Sequence, residues 1–405
     1  MGKFNYLLQN IATAIYTIFN RRDKKTIIVG AWMGSKFADN SRYLYQYLYK
    51  NKKELGLNNV IWVTRNRDVN VMLNNSGYKS CLIGTKESKY WHLKAGCHVL
   101  CNMAFPYPNY DTDLDVKYSF GAKKLQLWHG IGMKAVGAAS NKSLQHSKKS
   151  FIKEFYHRAN LDALFSLGGW TNEYFLSTSK LNGNVNLRIS SCREDRLLYS
   201  IYPRNCECLE LLDREVEIIN KISEYTSSII YLPTFRSSYQ DYTHPLSDSR
   251  MVEFLKKNNV VWIEKPHSAS DFDLSEYECN ANTIFLESEF DINVLYSYVD
   301  GVISDYSSAV FDAVYKHIPV IMYTPDLEIF KNGDVGFLFN IDEYCKELIA
   351  TDFSHLMQML EDIQCKKYFS SARECRFDVI RKDYFDNKDS NYEVFWSDVK
   401  ERMNL

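Results

Sequence analysis

The sequence reads as an α/β protein with two parallel-sheet domains facing a cleft, and three observations carry that reading. Short apolar strands alternate with helical stretches. The alternation occurs in two separate series, divided by a charged connection. Strands such as Ile27-Ile28-Val29 and Val60-Ile61-Trp62-Val63 are apolar at every position, which requires burial on both faces beneath covering helices. A length of 405 residues suits two ordinary domains better than one.

The elements follow in order. Phe4, Leu7, Leu8, Ile11, Ile15, Ile18 and Phe19 recur at helical spacing, and Arg21, Arg22, Lys24 and Lys25 follow at once. Residues 1–24 therefore form an amphipathic helix. It fits two settings: a membrane interface, with the basic cluster on anionic head groups at about 1 kcal/mol per charge, or its own domain surface. No apolar run reaches the roughly 18 residues of a membrane span, and polar residues interrupt what would be the core of a secretory signal. An N-terminal domain, 25–205, carries strands at 26–31, 60–64, 98–101, 125–128 and 161–166. A C-terminal domain, 206–352, carries strands at 228–232, 260–264, 283–286, 301–304 and 320–323, with helices at 247–257 and 308–316. The hinge falls within 193–217, and 353–405 is helical and packs back across both domains.

Composition excludes some functions. The 49 Lys+Arg nearly balance 50 Asp+Glu, so no global positive field exists to hold nucleic acid. The ten Cys lack paired zinc-ligand spacing and read as reduced, cytosolic thiols. Cys97, His98 and Cys101 approach a metal-binding pattern, but alternation along a buried strand explains them more simply, and no metal is assigned.

In open parallel sheets ligands bind beyond the carboxyl ends of strands, and three strand ends carry capable chemistry. The first is Leu125-Gln126-Leu127-Trp128-His129-Gly130, where histidine, able to accept a proton at neutral pH, precedes glycines that admit a ligand close to the backbone. His129 is either a general base or a satisfied strand-end residue. The second is Ile263-Glu264-Lys265-Pro266-His267. The third, Val302 through Ser308, leads into an apolar helix whose N-cap would be Ser307 or Ser308, serving either as a phosphate cradle or as an ordinary cap. Asp305 and Asp312 suit orienting hydroxyls, a cation or the cap. Around His129, residues 121–158 hold eight basic side chains against one acid, Glu154, which suits an extended anionic partner.

Taken together, Leu127-Trp128-His129-Gly130-Ile131-Gly132-Met133-Lys134, Tyr231-Leu232-Pro233-Thr234-Phe235-Arg236, Lys265-Pro266-His267 and Ser304-Asp305-Tyr306-Ser307-Ser308-Ala309-Val310-Phe311-Asp312 resemble the CDP-glycerol glycerophosphotransferase family of teichoic acid and capsule synthesis. Gly34-Ser35-Lys36-Phe37-Ala38-Asp39-Asn40-Ser41-Arg42-Tyr43-Leu44 is similar to its opening motif.

The resemblance implies a GT-B-like fold, a CDP-glycerol donor with CDP-ribitol as its close rival, and a polyprenyl-linked or polyol-phosphate acceptor. The enzyme would lie peripherally on the cytoplasmic face of the cell membrane, against an anionic surface. His129 and His267 would be the catalytic residues. Arg236, Lys265, His267, Ser304, Asp305, Ser307, Ser308 and Asp312 would face the donor, and Gly130, Lys134, Lys148 and Lys149 the acceptor. No resident metal is required, and a Mg²⁺ carried on the donor diphosphate is compatible with this site. A nucleotide-sugar glycosyltransferase and a noncatalytic assembly scaffold are the rival readings. The chain departs from the family in places. Where the family carries Gly-Tyr-Pro-Arg-Asn-Asp before the hinge, the reading aligns Ser191-Cys192-Arg193-Glu194-Asp195; an Arg-Gly pair becomes Val335-Gly336; and His-Gly-Thr-Pro becomes His129-Gly130-Ile131-Gly132.

Overall fold

The computed structural model describes residues 3–102, 111–130, 132–134, 161–166, 197–199, 203–205, 210–234, 243–265, 282–333, 336–385 and 391–405. Two parallel sheets organise them. The N-terminal sheet has strands β1 (Asp23–Val29), β2 (Asn59–Thr64), β3 (Ser80–Leu82), β4 (Ala95–Leu100), β5 (Lys123–Gln126), β6 (Ala163–Ser166) and β7 (Leu197–Tyr199), in the order β3-β2-β1-β4-β5-β6-β7. The C-terminal sheet has β8 (Ser227–Leu232), β9 (Val260–Glu264), β10 (Thr283–Phe285), β11 (Gly301–Ser304), β12 (Val320–Tyr323) and β13 (Ile349–Ala350), in the order β10-β9-β8-β11-β12-β13. Both sheets are doubly wound, and the strand order reverses between β1 and β4 and between β8 and β11. Those reversals open the crevices where such sheets bind ligands. The expected two-domain α/β architecture is thus present. The stretch 193–217 read as the hinge contains β7, so the described connection between the sheets runs from Tyr199 to the helix beginning at Asp213.

The helices are α1 (Lys3–Phe19), α2 (Asp39–Lys50), α3 (Arg67–Asn75), α4 (Lys86–Lys94), α5 (Asp213–Ile222), α6 (Ser249–Lys257), α7 (Ala309–Tyr315), α8 (Leu327–Asn332), α9 (Ile341–Tyr344), α10 (Phe353–Gln364), α11 (Ser371–Tyr384) and α12 (Tyr392–Met403). The last two bind different domains. In α11, Tyr384 stacks on Phe311 of α7 at 4.1 Å. In α12, Tyr392 stacks on Tyr47 of α2 at 4.8 Å, and the Asn404 carbonyl after it accepts from Lys24. The C-terminal helices therefore cross from one sheet to the other.

The segment after α1 is used differently from the expectation of a basic cluster on a surface. The Arg22 guanidinium turns inward and donates to the carbonyls of His92, Leu93, Ala95, Tyr118 and Phe120. Burial pushes its pKa down to about 10. Thr13 likewise reaches the Lys117 carbonyl at 3.0 Å. One side of α1 is thus pinned to its domain, while Leu8, Ile11, Ile15, Ile18 and Phe19 stay exposed, the last at 80%.

Strand alternation decides the Cys97-His98-Cys101 question. Both cysteines enter the main apolar core, whereas His98 points to the other face, where Nδ1 meets Ser119 Oγ at 3.0 Å and Nε2 donates to the His92 carbonyl at 3.1 Å. The three do not converge on one point.

His92 and His98 lie side by side, fully buried. Burial holds His92 down to about 4 and His98 well below the usual range. Between about pH 6.5 and 4 the unfolded chain therefore binds protons that the folded chain refuses. Stability is complete above that window and falls as the pH drops through it, by about 1.4 kcal/mol per pH unit for each histidine. Melting curves from pH 7.5 downward will show the decline, with less of it in His92→Asn. A melting temperature unchanged down to pH 4.5 contradicts the assignment.

Candidate active site

The site forms where the carboxyl ends of β1, β4 and β5 meet those of β8 and β11. Beyond β1 the chain turns through Trp32 and Met33, both in the left-handed region at φ 46° and 54°. Asp113 binds that turn to the end of β4: its carboxylate accepts from Met33 N at 2.8 Å, Cys101 N at 3.0 Å and Asn102 N at 2.6 Å. The Cys101 carbonyl so placed is 3.2 Å from His129 Nδ1. A carbonyl can only accept, so Nδ1 is the donor here, and in the neutral ring the lone pair is on Nε2. The imidazole packs beside Trp32, at 5.2 Å, and Trp128, at 5.1 Å. Trp128 itself has φ 60°, and its carbonyl accepts from Asn40 Nδ2 at 2.8 Å. This arrangement suits a base oriented by its neighbours.

Left-handed backbone is concentrated here. Among the described residues, non-glycine positive φ occurs at Asn259, His317, Lys366 and Asn404, each just past a helix, and at Trp32, Met33, Asp39 and Trp128, which surround His129. The first group is ordinary helix termination. The second group includes two tryptophans, for which the conformation is costly, and such positions gather at functional sites.

The C-terminal sheet meets this loop directly. A Cβ built on Gly130 would lie 2.5 Å from Ser308 Oγ, and one on Gly132 would lie 3.6 Å from Ser308 Cβ. Gly130 also has φ 136°. Gly130→Ala should therefore push the His129 loop off the loop before α7 and lower turnover by at least about 100-fold, a typical penalty for a displacement near 1 Å. Steady-state kinetics on the folded variant check this, and near-normal turnover would contradict it.

The predicted residues divide. Ser307 Oγ accepts from Ala309 N at 3.3 Å, whereas Ser308, the N-cap position, makes no capping hydrogen bond through its side chain. Both residues follow β11, and Ser308 lies beside Gly130. Ser304 and Asp305, read as donor contacts, have partners within the protein. The Ser304 hydroxyl donates to the Leu232 carbonyl at 2.8 Å, and the Asp305 carboxylate accepts from Thr234 N at 3.0 Å and Tyr306 N at 2.6 Å. They fix the two loops of the crevice. Asp312, also read as a donor contact, pairs with a buried arginine. Lys134, read as an acceptor contact, reaches the C-terminal domain, 3.4 Å from Thr234 Oγ1 and over the Phe330 ring. Lys265 is in the cleft and donates to the Phe290 carbonyl at 2.6 Å; burial and the nearby Lys36 push its pKa down to about 8. Part of the positive charge read around His129 is neutralised, since Lys123 pairs with Asp162 at 3.0 Å. Arg236, His267, Lys148 and Lys149 lie outside the described residues.

Sequence reasoning missed Arg204. One nitrogen donates to Asp39 Oδ1 at 2.8 Å and to the His129 carbonyl at 3.0 Å; the other grips Asp312 at 2.8 and 3.0 Å. The signal was available: Tyr202-Pro203-Arg204-Asn205 supplies four consecutive residues of the family hexapeptide that had been aligned to 191–195. The apparent loss of that motif is thereby corrected. Asp39 and Asp312 are both raised above the usual carboxylate range by burial, an effect the Arg204 charge opposes.

The family described as CDP-glycerol:poly(glycerophosphate) glycerophosphotransferase matches residues 13–393. The chain belongs to it. It is a glycerophosphotransferase of teichoic acid synthesis with CDP-glycerol as donor. Among curated relatives, a teichoic acid poly(glycerol phosphate) polymerase of Bacillus spizizenii is 24% identical over 363 residues, covering 84% of each chain. A polymerase of the same description from Bacillus subtilis strain 168 is 23% identical over 373 residues, covering 85% of this chain; the chain spans 45% of that relative's length. The structure of the wall teichoic acid polymerase TagF superimposes with a TM-score of 0.66 at 20% identity, covering 100% of both chains, which supports the fold.

Proposed function

We propose that this glycerophosphotransferase uses His129 as the general base that activates the terminal hydroxyl of a polyol-phosphate or polyprenyl-linked acceptor. His129 Nε2 takes the hydroxyl proton as the oxygen attacks the β-phosphorus of CDP-glycerol. The new P–O bond forms, the bond from the β-phosphorus to the bridging oxygen breaks, and CMP leaves with that oxygen. The observation that carries this reading is the Cys101 carbonyl on Nδ1, which leaves Nε2 as the proton acceptor. The Ser307 and Ser308 hydroxyls, a short step across Gly130, would hold the donor phosphates, with Lys265, Arg236 and His267 supplying positive charge. Charge is met by side chains, and any Mg²⁺ arrives with the donor. CMP release from CDP-glycerol, with CDP-ribitol in parallel and with and without EDTA, tests the reading. Turnover of ribitol alone overturns the donor assignment, and full turnover in EDTA would remove the donor-borne Mg²⁺ from the reaction.

The exposed row Leu8, Ile11, Ile15, Ile18 and Phe19 supports peripheral contact with an anionic membrane. Because Arg22 is structural, the suitable variant is Ile15→Ser with Ile18→Ser and Phe19→Ser, which leaves that anchor intact. It should pellet less with anionic vesicles than the parent does, and equal pelleting would refute the contact.

A further inference from the structure

We propose that Arg204 is a positioning residue that locks the base-bearing loop of the N-terminal domain to the phosphate-facing loop of the C-terminal domain. The inference rests on the reading of His129 as base. Arg204 comes from neither sheet; it stands at Pro203–Asn205, on the connection between them. Its side chain is 3% exposed and spans three groups. Asp39 opens α2, whose next residue, Asn40, holds the Trp128 carbonyl. The His129 carbonyl belongs to the base itself, and Asp312 lies one turn into α7, which begins just after Ser307 and Ser308.

The chemistry requires a guanidinium. Two buried carboxylates with raised pKa face one another across the interface, and each would be destabilised without a cation between them. Asp39 is already in a left-handed conformation, with its own N–H donated to Asp291 at 3.0 Å. Its side chain cannot turn away cheaply. A planar guanidinium can hold one carboxylate with one terminal nitrogen while the other serves a carboxylate and a carbonyl; an ammonium on a flexible stem cannot reproduce that geometry. Arg204 thereby fixes the distance between Nε2 of His129 and the Ser307–Ser308 loop, a distance that in-line transfer must hold within a few tenths of an ångström. It also keeps the charge of Asp39 and Asp312 from reaching an anionic donor.

The test compares Arg204→Lys, Arg204→Ala and Asp312→Asn by melting, by calorimetric titration with CDP-glycerol and by CMP-release kinetics. Arg204→Lys is expected to fold, to bind donor within about threefold of the parent, and to lose about 100-fold in kcat. Guanidinium ion at tens of millimolar should restore part of the activity of Arg204→Ala, an effect that loss of fold would not show. Should Arg204→Ala fail to fold, Asp312→Asn, which leaves Arg204 its bonds to Asp39 and His129, must show the same kcat-selective loss at smaller size. A kcat within threefold of the parent in Arg204→Lys overturns the proposal. So does a loss confined to donor affinity. If His129→Ala proves fully active while Arg204→Lys is impaired in kcat, the base assignment fails and the positioning of the two loops stands.

Discussion

His129→Ala should lower kcat by about 10² to 10⁴ while leaving the affinity for CDP-glycerol nearly unchanged. The acceptor hydroxyl, not the donor, is the group that loses its proton, so the imidazole contributes nothing to donor binding in the ground state. The two neighbouring tryptophans and the Cys101 carbonyl define how the variant must be read. Removing the ring leaves a gap between aromatic side chains and a carbonyl without its donor, so some loss of stability is expected as well. His129→Gln separates the effects: its amide can still donate to Cys101 but cannot accept a proton, so it should melt close to the parent and turn over as slowly as the alanine variant. Kinetics, titration and melting on both variants decide the matter. A fully active His129→Gln protein would remove general-base chemistry from this residue.

The largest effect on stability should come from Arg42→Met. Arg42 belongs to α2 and Glu215 to α5, and their side chains, both 0% exposed, meet through two bonds of 2.6 and 2.8 Å. The same Nη1 that bonds Glu215 Oε1 approaches Asp291 at 3.6 Å, and the guanidinium lies 5.2 Å from the Phe37 ring. The pair joins α2, which follows β1, to α5, which precedes β8. Removing the cation leaves Glu215 buried without its partner, a change that costs about 3 to 5 kcal/mol. Glu215 still accepts from Leu212 N at 2.9 Å, which is too little compensation for a buried charge. Urea unfolding should show the loss as a lowered midpoint. Arg42→Met combined with Glu215→Leu should recover most of it, because a buried ion pair is often replaceable by apolar side chains of similar volume. A double variant no more stable than the single would contradict this account.

The core strands were legible because β2, β9 and β12 are apolar at most positions and β1 and β11 carry the apolar runs Ile27-Ile28-Val29 and Val302-Ile303, and only a sheet covered on both faces tolerates that. The edge strands β3, β7 and β13 have three, three and two residues, too few for any periodicity to show. In α2, Asp39, Asn40, Ser41, Arg42 and Gln46 are polar yet buried: Asn40 and Ser41 donate to the Trp128 and Gly30 carbonyls of their own domain, while Asp39 pairs with Arg204 and Arg42 with Glu215. Such pairing joins residues more than 160 positions apart, and no local pattern records it. The same applies within the site. His129, Ser307 and Ser308 stand at strand ends and could be found there, whereas Asp113 acts on backbone N–H groups of two separate loops, and nothing in its own neighbourhood announces that.

The left-handed residues around His129 bear on how this enzyme could be altered. If each of Trp32, Met33, Asp39 and Trp128 holds an unfavourable backbone state at about 1 to 3 kcal/mol, the rest of the fold supports a local debt whose return is a rigid base. A search for hardier variants would be drawn to these positions, since glycine adopts the same backbone without the penalty. At Met33 such a variant would tolerate more heat and transfer less glycerol phosphate, because the released strain is what keeps the imidazole aimed, whereas at Trp32, Trp128 and Asp39 the lost ring packing and the lost Arg204 pair would outweigh it. Durability is better sought far from this ring, on surfaces such as that of α11, where a substitution meets neither sheet's ligand crevice.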